Sequence, residues 1–269
     1  MLKKLWHCLK HSSIGNPLQL KRDELKHYPT LQGEHPTQWS FPEYLNNPNC
    51  NWLQCLKEQY EMPISFPSSL SPEAGLMLHS FVRNLMPRVV IEVGVFCSIS
   101  TQWMASALLE NGKKPKKEAV IHCFDDFGPI HKAPPWRNVE LLTGRLDFVT
   151  ERLEKAGTLD YVNFHPGDSS SNIIKCREEL AAAGGVDFAF IDGDHSVPGV
   201  LADFKAVEPV LNTGGYVLLH DTYPEQCGNH EGPRYIIDHI NEIGQGLYEL
   251  VELHLSPLNY GMALIRRIG

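Results

Sequence analysis

The sequence predicts an α/β protein: a doubly wound, mostly parallel seven-stranded sheet with a terminal antiparallel hairpin, preceded by a loop-rich N-terminal appendage. Three observations carry this. Apolar strand candidates alternate with helix-like stretches from residue 71 onward, which calls for a parallel sheet covered on both faces. The last two strand candidates are joined too briefly for a parallel crossover. Residues 1–70 hold seven of the 19 prolines and three of the five tryptophans without a sustained period of 3.6 or 2.

The regular pattern opens at Ser71, an N-cap candidate followed by Pro72 at the first helical position and Glu73 in the first turn. Strand candidates follow at Val89–Val93, Ala119–Phe124, Tyr161–Phe164, Val186–Ile191 and Tyr216–Leu219. Helical stretches at Ser100–Leu109, Arg145–Ala156, Ser171–Ala183 and Val197–Leu211 lie between them. A further helix, Pro233–Ile243, leads to two closing strands, Leu250–Leu255 and Met262–Arg266. The 269 residues therefore divide into an appendage, 1–70, and one large domain, 71–269.

Composition narrows the partners. Twenty-four Lys+Arg against 32 Asp+Glu give a net charge of −8, which offers no global positive field for nucleic acid or an anionic membrane. Apolar runs fall far short of the roughly 20 residues that cross a bilayer. The basic start lacks the apolar stretch of a secretory signal, and the seven cysteines contain no C-x-x-C pair, so a cytoplasmic protein with a small-molecule partner is expected.

In open α/β sheets ligands bind beyond the carboxyl ends of the strands. The first strand leads into Glu92, Gly94 and the helix start at Ser98–Thr101, where a tight turn meets free N–H groups. A dinucleotide fingerprint needs further glycines where this chain has Phe96 and Ile99, which argues against a nicotinamide cofactor. Asp125 ends the second strand, where a carboxylate accepts from the ribose hydroxyls of an adenosine. Asp168 and Ser169 follow the third strand, at the edge of an adenine or as a helix N-cap. The fourth and fifth strands deliver Asp192 and Asp221 beside His195 and His220, a set suited to Mg²⁺ or, with imidazole, to a transition ion.

Taken together, Ile91–Phe96, Gly167–Ser169, Phe190–Ser196 and Gly214–Asp221 resemble the class I S-adenosylmethionine-dependent methyltransferases. The likeness is greatest to the metal-assisted small-molecule O-methyltransferase branch, which includes catechol O-methyltransferase-like and macrocin O-methyltransferase-like enzymes. It covers about residues 71–269 and implies a Rossmann-like methyltransferase fold. It further implies S-adenosylmethionine as cofactor, a divalent cation, and a small hydroxylated acceptor. By this resemblance Glu92 and Gly94 flank the methionine moiety, Asp125 the ribose, and Asp168 with Ser169 the adenine; Ser98 stands in the cofactor loop where glycine is common. Asp192 and Asp221 become metal ligands, with Thr222 or His220 as the third. His195 takes the place of a lysine base, mostly neutral at its unperturbed pKa of about 6.5, or else ligates the metal. A metal-independent N-methyltransferase and a nucleotide-binding oxidoreductase are the alternatives. Residues 1–70 are expected to be loop-rich with short helices, and Trp6, Trp39 and Trp52 make them a candidate cover for the open edge of the site or a homo-oligomer contact, packing against the outside of the main domain being the alternative.

Overall fold

The structure is a computed structural model that describes residues 38–134, 137–224, 227, 230–244, 247–253 and 260–269. Trp6 and the connection between the last two strands lie outside the described residues. Pro36–Gly269 forms one compact unit.

Seven strands, β1 (Val89–Val93), β2 (Val120–Asp125), β3 (Val162–Pro166), β4 (Val186–Ile191), β5 (Leu211–His220), β6 (Tyr248–Leu253) and β7 (Met262–Arg267), form one sheet in the order β3-β2-β1-β4-β5-β7-β6. The first five pair in parallel, and β7 lies antiparallel between β5 and β6. The order reverses between β1 and β4, the switch point at which open sheets leave a crevice.

The strands read as continuous apolar runs because both faces are buried. Val90, Phe188, Phe190 and Leu218 face one core, whereas Val89, Ile91, Ala189, Ile191, Val217 and Leu219 face the other, as the two-residue alternation of strand side chains demands. The first core is closed by α1 (Asn51–Tyr60), α2 (Pro72–Leu85), α3 (Ile99–Glu110) and α4 (Arg145–Ala156). The second is closed by α5 (Ser169–Lys175), α6 (Arg177–Ala182), α7 (Val197–Val207) and α8 (Gly232–Ile243). Ser71 caps α2 as expected, its hydroxyl accepting from the Ala74 N–H at 3.1 Å. The expected helix over 171–183 is two pieces that meet at Cys176, and β5 starts five residues earlier than its apolar run.

Before Ser71 the described residues include one of the expected short helices. α1 carries Trp52, Leu53, Cys55, Leu56, Gln59 and Tyr60 on one buried face, a helical spacing that the surrounding prolines obscure. Trp52 packs on Trp103 of α3 at 5.7 Å between ring centroids, and the Trp103 Nε1–H donates to the Tyr60 hydroxyl at 2.8 Å. Residues 38–70 therefore contribute to the main core, and the compact unit begins before Ser71.

Candidate active site

Backbone hydrogen bonds continue past the strand ends and fix the floor of a crevice. The Gly94 N–H donates to Phe124 O at 3.0 Å, Gly167 N–H to Asp125 O at 2.9 Å, and Asp192 N–H to Val93 O at 2.9 Å. Gly94 is required here: its φ is +86°, and a Cβ would lie 2.2 Å from Asp192 O. Above this floor opens a cavity of about 660 Å³, within the usual range for a small-molecule site. Gly94, Phe96, Asp125, Asp168, Ser169, Asp192, His195 and Asp221 are among its lining residues.

Glu92 and Ser98 stand behind this wall and do not line the cavity. Both Glu92 oxygens accept from the first turn of α3, from Ser100 Oγ and Thr101 Oγ1 at 2.6 Å each, and Oε2 also accepts from Cys123 Sγ at 3.0 Å. Complete burial nevertheless raises its carboxyl to about pKa 7, against the opposing pull of those hydroxyls. Ser98 adopts a left-handed backbone, φ +73°, and its hydroxyl accepts from Gln59 Nε2 of α1 at 3.3 Å. Gln59 also donates to Cys97 O. A side chain of the N-terminal segment thus holds the loop that follows β1.

Asp125 lines the cavity with its oxygens heavily committed. Oδ2 accepts from the Val95 and Phe96 N–H groups at 2.8 and 3.3 Å, and Oδ1 from Phe127 N–H at 2.7 Å. Arg145, at the start of α4, pairs with Asp125 and reaches Asp126 at 3.1 Å. Asp168 caps α5 by accepting from Ser171 N–H at 2.8 Å and also lines the cavity. Ser169 donates to Asp203 Oδ1 of α7 at 2.5 Å. Asp203 is almost wholly buried, and that burial raises its carboxyl to about pKa 6.

At the ends of β4 and β5 four titratable side chains converge. His195 Nε2 stands 3.2 Å from Asp192 Oδ1 and 3.1 Å from Asp221 Oδ2. From behind, His220 Nδ1 stands 3.1 Å from Asp192 Oδ1 and 3.1 Å from Asp221 Oδ1. The left-handed backbone of Asp221, φ +56°, turns the chain at the strand end, a conformation that aspartate tolerates better than most residues. Burial alone would raise Asp192 and lower His195, but mutual attraction outweighs it. His220 and His195 hold the Asp192 carboxyl well below its ordinary range, and Asp221 with Asp192 raises His195 to about pKa 9. Two carboxylates thus face one nitrogen of His195.

This donor set fits a divalent cation. One ligand atom each from Asp192, His195 and Asp221 lies within 4.8 Å of the others. Asp221 Oδ1 is buried without an aligned hydrogen bond. Two carboxylates and an imidazole suit Mg²⁺, Mn²⁺ or a similar ion. Thr222, one candidate third ligand, is buried outside the cavity wall with its carbonyl accepting from Arg234, whereas His220, the other, keeps its Nδ1 beside both carboxylates.

Sequence reasoning missed Phe96, Arg137, Arg145 and Tyr260, all of which line the cavity. Phe96 and Tyr260 have left-handed backbones, with φ +49° and +53°, which no spacing rule signals. Arg137 belongs to a loop brought back to the site by the pairings Ile130–Leu141 and Ala133–Arg137.

Comparison with known proteins agrees with this geometry. Residues 91–222 match the family described as a methyltransferase domain. The caffeoyl-CoA O-methyltransferase of Mesembryanthemum crystallinum is 22% identical over 97% of this chain and 92% of its own length. The catechol O-methyltransferase of Niastella koreensis is 27% identical over 47% of this chain and 46% of its own length. Among solved structures, the O-methyltransferase from Bacillus cereus in complex with S-adenosylhomocysteine superposes with a TM-score of 0.58 at 15% identity, covering 83% of this chain and 93% of that one. TomG from Streptomyces achromogenes, solved with S-adenosylmethionine, gives 0.55 at 16% identity over 86% and 92%. With the β3-β2-β1-β4-β5-β7-β6 sheet and its strand-end crevice, these likenesses support a class I S-adenosylmethionine-dependent O-methyltransferase of the catechol O-methyltransferase-like branch.

Proposed function

We propose that this enzyme transfers the methyl group of S-adenosylmethionine to a hydroxyl of a small molecule, assisted by a divalent cation held by Asp192 and Asp221. The observation that carries the reading is the convergence of Asp192, His195 and Asp221 at the ends of two adjacent strands, on the wall of the cavity that Gly94 floors. The relatives named for caffeoyl-CoA and catechol O-methylation favour a hydroxylated acceptor.

Methyl transfer from a sulfonium is an in-line displacement: the acceptor oxygen bonds to the methyl carbon as the carbon–sulfur bond breaks, leaving a neutral thioether. It requires alignment, exclusion of water and a deprotonated acceptor. A bound divalent cation would lower the pKa of the acceptor hydroxyl. With Asp192 and Asp221 engaged by such a cation, His195 Nε2 would be left to accept the hydroxyl proton. Gly94, Asp125, Asp168 and Ser169 position the cofactor from the opposite wall. Residues 38–70 act through Gln59 on the cofactor loop, and Ser68 borders the cavity as part of its cover.

A second reading rests on the same cluster: His195 and His220 already balance the two carboxylates, so a cation-free enzyme with a nitrogen acceptor is its alternative use. Methyl transfer to catechol, measured with Mg²⁺ and with EDTA, separates the two. Loss of turnover in EDTA with recovery on added Mg²⁺ supports the first reading; no turnover of catechol under either condition, with EDTA-resistant methylation of an amine such as phenethylamine, supports the second.

A further inference from the structure

The cavity wall carries five aspartates among its lining residues besides Asp125, and two arginines. The two cations differ. Arg145 is neutralised by Asp125 and Asp126. Arg137 pairs with no carboxylate among the described residues. Its guanidinium is nevertheless held in place: Nε–H donates to His131 O at 2.7 Å, and the group lies over the Phe96 ring, 5.4 Å from its centroid. Its backbone is fixed as well, exchanging hydrogen bonds with Ala133 at 2.9 and 3.0 Å. Partial burial lowers the pKa of this guanidinium. A surface arginine free to move would instead swing into solvent.

With Nε committed and the ring beneath it, the two terminal nitrogens remain as a planar fork on the cavity wall, the geometry that takes a carboxylate with two parallel hydrogen bonds. We propose that Arg137 is the anion receptor of this site and binds a carboxylate of a bound ligand. Phe96, on which it rests, follows Gly94 in the cofactor loop, so the methionine carboxylate of S-adenosylmethionine is the nearest source by position; an acidic acceptor is the other. The inference rests on the methyltransferase reading, because it assumes the cofactor lies along that loop.

The test is calorimetric binding of S-adenosylhomocysteine and of decarboxylated S-adenosylmethionine to the wild type and to Arg137→Gln. Binding of S-adenosylhomocysteine by the wild type secures the underlying reading independently of the variant. A tenfold or greater loss of S-adenosylhomocysteine affinity in the variant, with decarboxylated cofactor bound as in the wild type, assigns Arg137 to the cofactor carboxylate and shows that the variant is folded. Arg137→Lys, which keeps the charge without the fork, should recover part of that loss. Unchanged S-adenosylhomocysteine affinity, with KM for 3,4-dihydroxybenzoate raised tenfold and KM for catechol unmoved, assigns it to an acidic acceptor. Unchanged S-adenosylhomocysteine affinity without a selective loss for 3,4-dihydroxybenzoate overturns the proposal.

Discussion

The two halves of the crevice treat their acids differently. At the ends of β1 and β2, Glu92 and Asp125 are answered by the protein itself, through hydroxyls, backbone N–H groups and Arg145. At the ends of β4 and β5, Asp192 and Asp221 face two histidines and share them, and one buried oxygen of Asp221 has no aligned donor. The first half is a finished scaffold against which a ligand of fixed shape can be laid. The second is a set of charges whose balance a cation can take over. Chemistry that depends on a changing protonation state belongs where the partners are exchangeable.

Breaking the exchangeable half should have the largest effect. Asp192→Ala or Asp221→Ala should reduce methyl transfer to the level of the wild type in EDTA while S-adenosylhomocysteine still binds, as read by initial rates and calorimetry. Normal turnover in both variants would remove the metal from the mechanism. His195→Gln should follow, with turnover lower by about 10²–10⁴-fold, the usual worth of a general base. If the rate falls less than tenfold, His195 serves only as a structural partner of the two aspartates.

The scaffold half should answer in stability rather than in rate. Gly94→Ala forces a side chain into a backbone with φ +86° and against Asp192 O. The strain alone costs about 1–3 kcal/mol, and the clash separates β1 from the loop of β4. Denaturant melts should show the loss, and S-adenosylhomocysteine affinity should fall with it. An unaltered melt would mean that the two loops part easily.

Glu92 gives the most specific effect, confined to one pH window. Its buried carboxyl, raised from 4.5 to about 7, holds its proton more tightly than in the unfolded chain. The stability it contributes is complete below pH 4.5 and is lost as pH rises through 7, about 3 kcal/mol across that window. Glu92→Gln should flatten the fall in unfolding free energy between those pH values relative to the wild type. Equal slopes in the two proteins would show that the three donors around Glu92 offset its burial.

Legibility in the sequence follows the same division. The strand-end acids were readable because each closes an apolar run, and order along the chain fixes where a parallel sheet delivers it. Asp192 and Asp221 met for that reason, although their strands are separated by α7. What pattern could not give was contact at a distance: that Glu92 turns toward α3, that Gln59 reaches across to Ser98, and that Arg137 returns to the cavity on a short paired arm. Nor could pattern show two carboxylates on one nitrogen of His195. The helix α1 was written in its own spacing, with Trp52, Leu56 and Tyr60 in register, but the surrounding prolines left the bounds of the short helices expected there unreadable.

Cation binding is the most direct test. Mn²⁺ titrated into the purified protein loses its free-ion electron paramagnetic resonance signal when it is bound, whether or not an acceptor is known. One Mn²⁺ bound per wild-type chain is expected, displaced by Mg²⁺ and absent from Asp192→Ala and Asp221→Ala. A wild-type titration identical to that of the two variants would contradict a metal site at the ends of β4 and β5.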